Sequence, residues 1–171
     1  MANASPTTPF GAQKAVCAFT HTSVSRRFSE LLGTLAHAIE AERDIQHGWS
    51  RDAAFAHWLR ESELLWQRAA AEARALADSP ALRAADRVLI RAARILHFAL
   101  GCEHPAEYDA AVADLAGCGD SPTLRGDHAV AWRLREMLRS AEARLAEIGS
   151  LEMIPSAGDP DGLNDWPGLG G

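Results

Sequence analysis

At 171 residues, 47% apolar and 23% charged, the chain has the size and balance of one ordinary globular domain. Its net charge of −6 excludes a generally basic, nucleic-acid-binding surface, and no apolar run of about 18 residues is present to span a membrane. Cys17, Cys102 and Cys118 are an odd number of cysteines without a C-x-x-C pair, which excludes a disulfide framework and points to free thiols in a reducing, cytoplasmic compartment.

Residues 1–22 carry Pro6, Pro9 and Gly11 among small polar residues and read as a flexible N-terminal arm without a signal peptide's basic and apolar regions. The group Val16, Cys17, Ala18 and Phe19 could dock on the domain behind it. All basic residues but Lys14 are arginine, and alanine is abundant, as in a bacterial protein from a GC-rich genome.

From Ser23 or Ser25, either a suitable cap, a first helix carries Val24, Phe28, Leu31, Leu35, Ala38 and Ile45 on one stripe, with Leu32 and Ile39 beside it. Gly48 is its expected stop, and Trp49 precedes a second cap at Ser50. The second helix is expected over 50–78, with Phe55, Leu59, Ser62, Trp66, Ala69, Ala73 and Leu76 spaced alternately four and three apart. Trp58 and Leu65 widen that stripe, so the helix needs at least two partners.

Ser79-Pro80 reads as a cap and first-turn proline that start the third helix almost at once. Its stripe is Leu82, Ala85, Leu89, Ala92, Leu96 and Ala99, with Val88 and Ile95 alongside, and Gly101 ends it. A short segment, Pro105 to Ala116, turns Tyr108, Ala111, Val112 and Leu115 inward. The last long helix is expected from Asp127 to about Ile148, with Val130, Leu134, Met137, Leu138, Ala141, Leu145 and Ile148 on its core face. Residues 150–171 hold four acids, three prolines, five glycines and no basic residue, and read as a disordered acidic tail. The fold class is therefore all-α: an antiparallel bundle of four long helices plus one short helix over 23–149, between a flexible arm and a flexible tail.

Several constellations invite chemistry. His37, Glu40, Asp44 and His47 share an arc of about 80° that could ligate a metal, but the arc faces away from the stripe and reads as a solvated face. His57-x-x-x-Glu61, with His37, His97 and His128, resembles hemerythrin-like di-iron bundles. That resemblance fails because Gly101 stands where a partner of His97 should be, and the paired E-x-x-H motifs of ferritin-like sites are missing. Cys102, His104 and Cys118, with Cys17 or His128 as a fourth ligand, fit no common zinc module, and buried or idle thiols are the favoured reading. No metal or cofactor is assigned. Two polar residues stand inside apolar stripes, Glu42 on the first helix and Ser62 on the second; Glu42 is expected where its stripe runs out of the core.

The candidate recognition residues lie elsewhere. Arg83, Arg87, Arg91 and Arg94 form a strip on the third helix, to be paired with acids of a neighbour or left as a dock for an acidic peptide, a phosphate or the chain's own tail. Trp132, with Arg135 and Arg139 nearby, sits off the core face of the last helix in the manner of an interface anchor. Leu163 and Trp166 are the large apolar candidates toward the end of the tail. Glu40-Ala41-Glu42-Arg43 followed by Arg60-Glu61-Ser62-Glu63-Leu64-Leu65 gives residues 28–78 a resemblance to flagellar export chaperones, over less than a third of the chain and without the family's lysine. With no phosphate loop and no nucleophile–base set, the sequence reads as a non-catalytic bundle that binds another protein as an adaptor, chaperone or assembly factor. The alternatives are a metal- or cofactor-binding bundle with or without enzymatic activity, and a nucleic-acid-binding regulator using the arginine strip. A homodimer is left open.

Overall fold

The computed structural model describes residues 21–47 and 54–151. These form an all-α bundle of α1 (Ser23–His47), α2 (Phe55–Ala77), α3 (Ala84–Ala99), α4 (Pro105–Ala116) and α5 (Ala129–Gly149), with short 3-10 turns at Gly117–Asp120 and Pro122–Leu124. Their contacts alternate the chain up and down. Thr34 bonds Glu72 near the middle of α1, while Glu42 near its end meets Ser62 near the start of α2, so the two helices are antiparallel. Thr22 reaches Asp86, so α1 and α3 start at the same end of the bundle. The Tyr108 hydroxyl donates to the Leu145 carbonyl, which sets the start of α4 against the end of α5.

The apolar stripes converge on one core. Phe28, Leu31, Leu35 and Ile39 of α1, Leu89 and Leu96 of α3, Leu115 of α4 and Leu134, Leu138 and Leu145 of α5 are all buried within it. The contribution of α2 is Ala69, Ala73 and Leu76, so small residues let the helix backbones approach closely. Burying each of the large side chains contributes roughly 1.5–3 kcal/mol against the entropy of ordering the chain.

Several boundaries differ from the sequence reading, each for a local reason. The cap of α1 is Thr22, whose Oγ1 accepts the Ser25 N–H at 3.0 Å, rather than Ser23 or Ser25. The cap expected at Ser50, with Gly48 and Trp49, lies outside the described residues, as do Val16–Phe19; the described α2 begins at Phe55. α3 does not begin at Ser79-Pro80. The Ser79 hydroxyl turns back to the Ala75 carbonyl at 2.9 Å. The helix waits until Asp86 can accept the Leu82 and Arg83 N–H groups, at 3.2 and 3.0 Å, from the third helical position. Leu82 thus falls in the connection and is 83% exposed, not part of the core stripe. α5 starts at Ala129 rather than Asp127, because Gly126 takes φ +97° and the His128 ring then caps the helix, Nδ1 accepting the Ala131 N–H at 3.0 Å. Val130, one residue into that first turn, is exposed rather than in the core face.

Candidate partner-binding surfaces

The stripe of α2 is buried along only part of its length. Ser62, Ala69, Ala73, Leu76 and Ala77 are buried, whereas Leu59 is 42% and Trp58 37% exposed, and Phe55, Leu65 and Trp66 are half-buried. The cause is a mismatch of lengths. Among the described helices α2 packs mainly on α1 and α3, and α3 has 16 residues against 23 in α2, which at about 1.5 Å per residue leaves roughly 10 Å of α2 extending past it. Beyond Ile39 and Ala69, α1 and α2 have mainly each other. Leu64 adds a further exposed apolar side chain to this end of α2, at 58%.

At the root of the overhang, the two polar residues that interrupt the stripes meet. The Ser62 hydroxyl donates to Glu42 Oε2 at 2.8 Å, and the Trp66 indole N–H donates to the same oxygen at 3.3 Å. Glu42 sits half-buried where the stripe leaves the core, as expected, and there it is the acceptor that ties the two helices in register. More than two turns further into the body, Thr34 Oγ1 donates to Glu72 at 2.8 Å, a second tie between the same two helices, and Arg68 Nε of α2 bonds the same carboxylate at 2.8 Å. Trp58 and Leu59 thus stand on a helix tied to α1 by hydrogen bonds, with Leu64 on another side of it. The sequence assigned Trp58 and Leu59 to the core; the usable signal lay in the unequal helix lengths.

On α3 the arginine strip divides. Arg94 donates through Nε and Nη2 to the Ala77 carbonyl at 3.2 and 3.1 Å and so caps the end of α2. Arg83, Arg87 and Arg91 are exposed, and their guanidinium groups have no hydrogen bond or ion pair among the described residues. The acids of the neighbouring helices do not neutralise them. Arg87 and Arg91 border a shallow cleft of about 180 Å³ with Ala84, Val88, Cys118, Ser121 and Thr123. On α5, Trp132 is 55% exposed, while the two arginines near it are engaged: Arg135 donates to the Leu124 and Gly126 carbonyls at 3.2 Å, and Arg139 pairs with Glu136 at 2.8 Å. Leu163 and Trp166 lie outside the described residues.

The opposite end of the bundle from the overhang holds a cavity of about 380 Å³, where α1, α3 and α5 begin. Leu89, Leu134, Met137 and Val130 make it apolar, and Thr22, Ser25, Thr123 and His128 supply polar atoms. Asp86, 1% exposed, lies beside it and is fully engaged by the Thr22 hydroxyl at 2.8 Å and the two backbone N–H groups of the α3 cap. No pattern in the sequence marks Asp86, because its role depends on a residue 64 positions away.

The histidines and cysteines do not assemble: among the described residues no three His, Cys, Asp or Glu side chains come together as a metal would require. His37, Glu40 and Asp44 are exposed, and the side chain of His47 lies outside what is described. Cys102 and Cys118 sit at opposite ends of α4, their Sγ atoms directed at the Phe98 and Asp114 carbonyls. Burial raises the pKa of both thiols, so neither is an activated nucleophile. Burial likewise pushes the Tyr108 hydroxyl up to about 12, opposed in part by a hydrogen bond with the Gly149 backbone. No family model matches the chain, and searches of curated proteins and of solved structures give no significant match.

Proposed function

We propose that this chain is a non-catalytic helical-bundle protein that binds another protein, acting as an adaptor, chaperone or assembly factor, and that it does so with the overhanging end of α1 and α2. One observation carries the reading: Trp58 and Leu59, neighbours near the start of α2, stand partly exposed on a helix tied to α1 by Glu42, Ser62 and Trp66. Exposed large apolar side chains side by side mark interaction sites, and hydrogen bonds between the two helices spare the partner part of the entropy of ordering them. Acids at Glu61 and Glu63 and the base Arg60 border the patch, in keeping with a polar rim around an apolar centre.

The test is affinity capture from source-cell extract with the full chain and with Trp58→Ser/Leu59→Ser, both checked for helicity. A partner retained by the parent and lost by the double variant supports the reading. The same proteins retained by both would refute it.

The apolar cavity at the other end favours a second reading, a bundle that holds a small apolar ligand, since its volume falls in the range of small-molecule sites. Titration with 1-anilinonaphthalene-8-sulfonate decides it. Saturable fluorescence abolished by Ala129→Trp places the dye in the cavity; equal signal from both proteins removes the reading.

A further inference from the structure

Arg83, Arg87 and Arg91, which have no partner among the described residues, lie on α3 and at its cap, away from the overhanging end of α1 and α2. We propose that residues 152–171 of the same chain bind this strip, with Asp159 and Asp161 on Arg91 and Arg87 and Leu163 or Trp166 in the adjoining cleft. Charge complementarity is the first argument. Arg83, Arg87 and Arg91 lack partners among the described residues, and repeating like charges at i,i+4 on one helix is unfavourable unless an anion lies across them. Residues 152–171 contain Glu152, Asp159, Asp161 and Asp165 and no base.

Spacing is the second. Successive arginines four apart on α3 are about 6 Å apart along the axis. Alternate residues of an extended chain are separated by about 6–7 Å, and Asp159 precedes Pro160, a context that favours extended backbone. The two aspartates therefore match two neighbouring guanidinium groups in register. The same register carries Leu163 and Asp165 toward the Ala84 end, where the cleft is bordered by Val88, Ser121 and Thr123. An indole from Trp166 could also stack on an arginine plane there.

Reach is the third. α5 ends at Gly149 beside Tyr108 at the start of α4, and the Arg91–Cys118 site lies at the other end of α4. Twelve helical residues separate those points by about 18 Å. Asp159 follows Leu151 by eight residues, for which a flexible chain's mean span is about 16 Å and its maximum about 26 Å. A tether matched to its span gives an effective concentration in the millimolar range, enough to make weak exposed ion pairs persist.

Photocrosslinking in the full chain tests the contact. Asn164→p-benzoyl-phenylalanine leaves every acid and both apolar anchors of the segment in place. Irradiation at about 50 mM salt is expected to give intrachain adducts to residues 84–91 or 121–124, mapped by mass spectrometry, with yield falling at about 500 mM salt as screening predicts. Arg87→Glu/Arg91→Glu is expected to lower the yield at least about fivefold, and adding Asp159→Arg/Asp161→Arg to restore it. Adducts elsewhere on the chain, adducts only between two chains, or a yield indifferent to salt and to the charge swap would each overturn the assignment. Loss of the partner at the Trp58–Leu59 surface would leave these adducts unchanged, so the two readings fail separately.

Discussion

The two ends of the α1–α2 hairpin put the same kinds of side chain to different use. Toward the body, Leu35, Ile39 and Leu76 meet other helices and are buried; toward the overhang, Trp58, Leu59 and Leu64 continue α2 with no third helix among the described residues to cover them. Each region also has an engaged carboxylate that ties two elements together. Asp86, sealed in the body, organises the start of α3 and its junction with α1, and Glu42, half-buried at the root of the overhang, holds two helices in register. Burial is thus decided less by a residue's place in a stripe than by whether a neighbour is long enough to reach it.

That contrast can be broken by substitution, beginning with the apolar core. Leu35→Ala is expected to lower unfolding free energy by about 3–4 kcal/mol in urea titrations, whereas Leu59→Ala should cost under about 1 kcal/mol. Equal losses would mean the overhang is as well packed as the body. Asp86→Ala strips the partner from the Thr22 hydroxyl and two backbone N–H groups, and a loss of about 3 kcal/mol is expected by the same measurement.

Alkaline pH sharpens the difference further, because Tyr108 belongs to the body. Its pKa in the fold, about 12, lies above the ordinary value near 10, so between those values the native state keeps a proton that the unfolded chain releases. Stability from this group is fully present below pH 10 and is lost as pH rises toward 12, by up to about 2–3 kcal/mol. Tyr108→Phe should flatten that decline while costing about 1 kcal/mol at pH 7. At the root of the overhang, Ser62→Ala is expected to cost about 1 kcal/mol. A double-mutant cycle with Glu42→Gln should give clear coupling; simple additivity would show that the hydrogen bond holds nothing. Trp58→Ser/Leu59→Ser should cost about 1–2 kcal/mol and leave the bundle folded, so a loss of binding at unchanged helicity reads on the surface itself.

Much of this molecule was legible before any coordinates. Periodicity placed the five helices of the described residues and most of the core, since a 3.6-residue repeat of apolar side chains demands burial along one side, and Pro105 and Gly117 marked the ends of α4. Composition read residues 150–171 as a tail unable to join a core, yet Leu151 is buried among the core residues just past α5. Three things needed tertiary structure. The start of α3 and the role of Asp86 depend on Thr22, far away in sequence, and local cap signals at Ser79-Pro80 pointed to the wrong residue. Glu42 and Ser62 were each visible as misfits, but that they answer one another follows only from the antiparallel register of two helices. The exposure of Trp58 and Leu59 and the lack of partners for Arg83, Arg87 and Arg91 among the described residues depend on what lies beside each helix. A stripe records which side of a helix seeks cover, and only the lengths and positions of its neighbours decide how much of it is covered.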